Sequence, residues 1–207
     1  EGVREQEWKS PWGIGFPGWH IECSAMSMKY LGKHFDIHTG GIDHIPVHHT
    51  NEIAQSESVT GKKFVNYWIH DEFVNMGGDK MAKSLGNILT IADLTKEGVS
   101  PAAYRYWLLT AHYRSPVAFN LEAAHGGGKA LLRIVSAIAS APSGGHPARS
   151  AMKKFTVYIN DDLDTPRAIA LIWEVLKDDK ILPQDKRATI FEFDNILGLN
   201  LKELVKN

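Results

Sequence analysis

The chain has 207 residues, 43% of them hydrophobic and 23% charged, a globular composition that excludes disordered, collagen-like and coiled-coil readings and allows one or two domains. Lysine and arginine total 23 against 24 acidic residues, a formal charge of −1, so no strong basic field grips nucleic acid non-specifically, although a local patch is not excluded. The lone cysteine, Cys23, rules out an intrachain disulfide and points to a reducing cytoplasm, and no apolar run reaches the ~18 residues of a membrane span. The first residues, Glu1-Gly2-Val3-Arg4-Glu5, carry three charges and lack a signal peptide's apolar core. The chain opens without Met, and dense motif content begins by Pro11, which suggests the later part of something longer.

In chain order, Trp19 to Leu31 carries Ile21, Ala25, Met28 and Leu31 at helical steps, with Gly32 as a stop. Phe35-Asp36-Ile37-His38 alternates like a short strand, and Thr39-Gly40-Gly41 is expected to break it. Asp43 to Pro46 starts a helix that runs to about Val59 and stops at Gly61. Strand, glycine turn and helix make the α/β order. Ligands in such sheets sit beyond the carboxyl ends of strands, where His38, Gly40, Gly41 and Asp43 fall. Residues 64–70 and 72–76 are rich in β-formers, and Gly77-Gly78 end them and open the loop Asp79 to Ser84.

From Thr90 onward helices dominate. Pro101 begins one with Tyr104, Trp107, Leu108 and Ala111 on its apolar face, and a second carries Leu131, Leu132, Val135 and Ile138. The Pro- and Gly-rich stretch Ala141 to Pro147 reads as a linker. Helices are expected over Met152–Asn160, Thr165–Leu176 and Gln184–Leu197, with Thr165 as a cap before Pro166 and Gly198 as the last stop. The second half is therefore expected to be an all-α bundle.

Six of the ten histidines lie between His20 and His49, namely His20, His34, His38, His44, His48 and His49. Imidazoles crowded near a cysteine and carboxylates suggest a metal or catalytic site. His48 and Glu52 share one helix face at i, i+4. Both side-chain types bind zinc at roughly 2.0–2.2 Å, and Cys23 could supply a third donor. Spacing alone favours an ion pair and a small buried hydrophobe at these positions, so the metal reading needs the rest of a motif. Lys80 and Lys83, in Lys80-Met81-Ala82-Lys83-Ser84, could neutralise charge on a polyphosphate, although a solvated basic turn fits an isolated K-x-x-K better.

Two weaker patterns do not hold. His125-Gly126-Gly127-Gly128 resembles an esterase oxyanion loop, but Ala82 stands two residues before Ser84, so no G-x-S-x-G exists. Gly128-Lys129 is followed by Ala130 rather than Ser or Thr, so no phosphate loop is present there. A loose helix start is the expected structure of that segment.

Ordered motifs then carry a family resemblance. Pro17-Gly18-Trp19-His20-Ile21-Glu22-Cys23-Ser24-Ala25-Met26, the run Phe35 to Asp43, and His48-His49-Thr50-Asn51-Glu52-Ile53-Ala54-Gln55 resemble the cysteinyl-tRNA synthetases. Lys80-Met81-Ala82-Lys83-Ser84-Leu85-Gly86-Asn87 resembles the KMSKS loop of class I synthetases. His112-Tyr113-Arg114-Ser115 and Asp161-Asp162-Leu163-Asp164-Thr165-Pro166 resemble later helical regions of the same family. The resemblance runs from about Trp8 to about Gly198.

The resemblance implies the second half of a Rossmann-type α/β catalytic domain (1–89), a connecting stem-contact-like helical region (90–140), a linker (141–150) and a DALR-like tRNA-binding helical bundle (151–207). It implies zinc ligands at Cys23, His48 and Glu52, with a fourth, a cysteine, outside this chain. Trp19 and His38 match the cysteine pocket. Gly40, Gly41 and Asp43 match the adenosine contact, and Lys80, Met81 and Lys83 the loop that meets the ATP phosphates. The implied substrates are L-cysteine, ATP with Mg²⁺, and tRNA(Cys), in a cytoplasmic, monomeric parent enzyme. Three departures stand out: Ala82 replaces the usual Ser, Phe16 replaces a basic residue, and the HIGH motif is absent. The isolated chain is accordingly expected to be inactive. The alternatives are a mycothiol-pathway cysteine ligase, against which Asp161–Pro166 and His112–Arg114 speak, and a non-enzymatic half that needs a partner chain.

Overall fold

The computed structural model describes residues 6–16, 18–76, 79–80 and 89–206. Contacts divide the chain into two units between Phe73 and Val74.

In the first unit, β1 (Trp8–Ser10) and β2 (Gly13–Gly15) form an antiparallel hairpin with Trp8 opposite Gly15. Helix α1 (Trp19–Tyr30) follows, and Gly32 beyond its end takes φ 97, open to glycine at no steric cost. Its expected apolar stripe does not go inside: Ile21, Ala25 and Leu31 are exposed. Ser24 is its buried residue instead, and its hydroxyl donates to Gln55 Oε1 at 2.8 Å. Strand β3 (Phe35–Gly41) pairs in parallel with β4 (Val65–Asp71). Contrary to expectation, Thr39-Gly40-Gly41 continues the strand, with Gly40 opposite His70 and Gly41 opposite Asp71.

A 3₁₀ turn (Ile42–His44), a π turn (Ile45–His49) and α2 (Thr50–Thr60) run on from β3, and Gly61 at φ 64 ends the helix. Parallel neighbours need such a crossover, usually helical. The expected helix therefore exists, but its first part is wound differently. The wide π turn lets the consecutive His48 and His49 both be buried, a distortion often found at functional sites.

In the second unit, β5 (Val74–Met76) lies between β6 (Asp79–Lys80, antiparallel) and β7 (Val117–Phe119, parallel). Helix α3 (Ile91–Lys96) begins with a reciprocal Thr90–Asp93 capping box. Helix α4 (Pro101–Leu109) begins with Ser100 as cap and Pro101 in the first turn. Helix α5 (Leu121–Ala139) contains the triple glycine in its interior, not at a loose start. The reason is close packing: a Cβ on Gly127 would lie 3.0 Å from Trp107 Cβ, and one on Gly128 would lie 3.2 Å from Ala103 Cβ. The glycines let α5 approach α4.

Helices α6 (Arg149–Asn160), α7 (Thr165–Lys177) and α8 (Pro183–Leu197), with the short α9 (Leu201–Leu204), complete this unit. Leu131, Ile134, Ile138, Phe155, Ile172 and Phe193 belong to its apolar core, and the Phe155 and Phe193 rings stack at 4.2 Å. Each such side chain contributes about 1.5–3 kcal/mol on burial. The cap of α7 is Asp164, whose carboxylate accepts from Arg167 N at 3.1 Å, rather than the expected Thr165. Pro166 falls in the first turn either way.

Residues 141–148 have no regular structure but are pinned to α8. Arg187 donates to the Ile138 and Ala141 carbonyls, Asp185 accepts from His146 N, and Thr189 accepts from Ala148 N. Another tie joins two of the motif segments. Asp162 accepts from Tyr113 Oη at 2.6 Å and Arg114 Nε at 2.6 Å, and its carbonyl contacts His112 Nε2 at 3.0 Å. Asp162 and Leu163 both hold positive φ, 54° and 57°; such strain persists where surrounding contacts over-determine it. The Arg114 guanidinium and Tyr113 hydroxyl hold the Asp162 carboxyl down to about 2. Among the described residues no helix is long and apolar enough to cross a membrane.

Two glycines should respond oppositely to alanine in thermal unfolding. A Cβ on Gly126 meets nothing within 4 Å, so Gly126→Ala in mid-helix should stabilise by about 0.5–1 kcal/mol. A Cβ on Gly145 would fall 2.2 Å from the Gln184 backbone, so Gly145→Ala should destabilise by about 1–3 kcal/mol. Equal shifts would contradict the packing described for 141–148.

Candidate metal centre

The interior of the first unit is polar. Among its described residues the buried ones are Ser24, His48, His49, Glu52 and Ser56, with only Phe64 and Val65 apolar. Glu52, on the first turn of α2, is fully buried and central. Its Oε2 lies 2.9 Å from His38 Nε2, on β3. Its Oε1 lies 2.9 Å from His48 Nε2, within hydrogen-bond distance, yet accepts no hydrogen bond of acceptable angle. That oxygen is therefore buried and unsatisfied, an arrangement that costs about 1–3 kcal/mol, and more for a charged group, unless something else meets it.

Cys23, on α1, completes a trio. Its sulfur, a His48 nitrogen and a Glu52 oxygen lie within 4.8 Å of one another. Zinc bonds of roughly 2.0–2.3 Å separate tetrahedral ligands by about 3.3–3.8 Å, so side-chain movement of about an ångström closes this trio on an ion. Burial, then Glu52 and Glu22, push the Cys23 thiol up. Burial lowers His48, which favours the neutral imidazole that a metal requires. Soft sulfur, imidazole and carboxylate are a donor set that fits a divalent cation of borderline softness.

A second trio, His38, His49 and Glu52, also lies within 4.8 Å. His49 Nδ1 is 2.7 Å from His70 Nε2, and its ring packs against Trp68 and His38, both at 4.7 Å. Burial, then the neighbouring His38, lower His49 to about 4. The role of Gly40 follows from this ring: a Cβ there would meet His49 Cε1 at 2.6 Å and Nε2 at 2.9 Å.

Of the residues expected at the site, Cys23, His48, Glu52 and His38 come together. Trp19 lies beside them, its ring 4.8 Å from that of His48 and 65% exposed. Gly40 and Gly41 end β3, and Asp43 Oδ1 is 3.5 Å from His44 Nδ1. The Lys80 side chain, Met81 and Lys83 lie outside the described residues. Sequence reasoning gave no role to His20, which contacts His48 at 2.9 Å, or to His70 and Trp68 on β4. The crowding of histidines signalled the first. Nothing in sequence signalled the other two, which reach the site through the β3–β4 register.

The model for the tRNA synthetases class I (C) catalytic domain matches residues 2–127, more than half of the chain. The chain belongs to this family. It is 47% identical over 201 residues to a cysteine–tRNA ligase 1 of Burkholderia lata, a match that covers 97% of this chain and 43% of that relative. It is 44% identical over 222 residues to a cysteine–tRNA ligase of Treponema denticola, covering 95% and 45%. The chain thus spans less than half the length of these relatives. In fold it is similar to the LeuRS of Agrobacterium radiobacter K84, solved in ternary complex with tRNA and LeuAMS. The TM-score is 0.67 at 17% identity, over 97% of this chain and 33% of that one. In this class I synthetase family member the mixed α/β first unit carries the candidate centre.

Gly40→Ala should drive the His49 ring from its place and lower stability by about 1–3 kcal/mol, read as a lower melting temperature with altered His49 and His70 NMR signals. Unchanged signals and an unchanged melting temperature would contradict the close packing of the His49 ring on Gly40.

Proposed function

We propose that the chain is part of a cysteine–tRNA ligase and that its first unit selects the amino acid. The convergence of Cys23, His48 and Glu52 on an unsatisfied buried carboxylate oxygen carries this reading. The reaction joins L-cysteine to ATP, giving cysteinyl-adenylate and pyrophosphate, and then passes the cysteinyl group to the 3′ end of tRNA(Cys). Zinc bound there would hold the substrate sulfur as a thiolate, a bond that serine's hydroxyl replaces poorly.

The chain's own residues divide the work. Cys23, His48 and Glu52 hold the ion. Trp19 and His38, beside Glu52, flank the cysteine. Gly40, Gly41 and Asp43, where β3 ends, approach the adenosine. Lys83, with Lys80 and Met81, neutralises the phosphates of ATP–Mg²⁺ as pyrophosphate leaves. Residues 1–89 belong to the catalytic domain, 90–140 connect it, 141–150 link, and 151–207 form a helical region that lies along the tRNA. The tie of Tyr113 and Arg114 to Asp162 joins the two segments that favour the tRNA enzyme over a mycothiol-pathway ligase.

Cysteine-dependent ATP–pyrophosphate exchange tests the proposal. The 207 residues alone should show none, and mixing them with the remaining portion of the Burkholderia lata relative should restore it. In the restored enzyme Lys83→Ala should slow adenylate formation about 10²–10³-fold and leave cysteine affinity nearly unchanged. Exchange by the chain alone would contradict the division of labour. No exchange after well-folded halves associate would contradict the function.

A further inference from the structure

His48 has two ring nitrogens with different partners. Nε2 faces Glu52 Oε1 at 2.9 Å within the Cys23–His48–Glu52 trio. Nδ1 faces Nδ1 of His20, on the first turn of α1, also at 2.9 Å. The two rings meet edge-on, with centroids 4.9 Å apart. A neutral imidazole carries one proton, and only the nitrogen without it can bind a metal.

We propose that His20 is the positioning residue of the metal centre: its Nδ1 accepts a hydrogen bond from the Nδ1–H of His48 and so leaves the Nε2 lone pair of His48 free for the ion. This inference rests on the metal reading above. Of two facing ring nitrogens, one donates and one accepts. If His48 donates from Nδ1, His20 accepts at Nδ1 and carries its own proton on Nε2. The opposite choice would put a proton on His48 Nε2, 2.9 Å from Glu52 Oε1 but at an angle that makes no hydrogen bond with it. Oε1 of that carboxylate accepts no hydrogen bond, although it is buried and only 2.9 Å away. The geometry thus favours the tautomer with a bare Nε2. The second nitrogen of a ligating histidine almost always has such a fixed partner, and loss of the partner costs metal affinity. Here the partner is another imidazole, drawn from the helix that also carries Cys23, so α1 supplies both a ligand and the group that orients one.

The test uses the 207-residue chain and cobalt(II) alone, read by the thiolate-to-cobalt absorption. His20→Ala should weaken cobalt binding about 10–100-fold. His20→Asn, whose amide oxygen can stand where Nδ1 accepts, should stay within about threefold of the wild type. Circular dichroism confirms that each variant is folded. Long-range ¹⁵N–¹H NMR of the wild-type chain needs no substitution, and it should show His48 protonated at Nδ1. A chain that binds no cobalt through its thiolate overturns the metal reading itself. Unchanged affinity in His20→Ala, equal losses in both variants, or an Nε2-protonated His48 overturns only the role of His20.

Discussion

Removing a carboxylate from water costs several kcal/mol unless cations or donors meet it, and Glu52 is fully buried. The organisation of the first unit answers that one constraint. Imidazoles come to Glu52 from β3 (His38) and from the π turn (His48), while α1 brings Cys23. One oxygen is met by His38. The other is held open among a thiol and a neutral imidazole, neither of which balances its charge. A bound cation would resolve the imbalance, in keeping with the proposed metal site in this polar interior.

Backbone choices serve the same end. The π turn buries two consecutive histidines. Gly40, paired with His70 in the β3–β4 register, leaves space for the His49 ring. In the second unit glycine does similar work in a different setting, where Gly127 and Gly128 bring α5 against α4 and Gly145 fits beside the start of α8. The second unit, by itself, is built around an apolar core that includes Phe155 and Phe193.

Elements with strong local signals were legible in sequence. Pro101 at the start of α4, Gly61 after α2 and Gly198 after α8 begin or end helices by local chemistry. The trio Cys23, His48 and Glu52 was legible through motif resemblance and only weakly through spacing, because one of its three members, Cys23, depends on how α1 packs on α2. Gly40 and Gly41 read as breakers, since sequence shows glycine's permissiveness but not the His49 ring that crowds Gly40 or the Asp43 carboxylate that crowds Gly41. The triple glycine misled in the same way. His70 and Trp68 were invisible, because they enter the site through a parallel pairing more than twenty residues distant. The apolar stripe of α1 gave the helix correctly but not the buried face, which a serine–glutamine hydrogen bond occupies.

The central claim is that one sulfur, one imidazole and one carboxylate of this chain hold a metal. Zinc K-edge X-ray absorption on the zinc-loaded 207-residue chain measures that shell directly. The account predicts one sulfur at about 2.3 Å with nitrogen and oxygen neighbours at about 2.0–2.2 Å, and loss of the sulfur shell in Cys23→Ser. A shell of nitrogen and oxygen alone in the wild-type chain would contradict it.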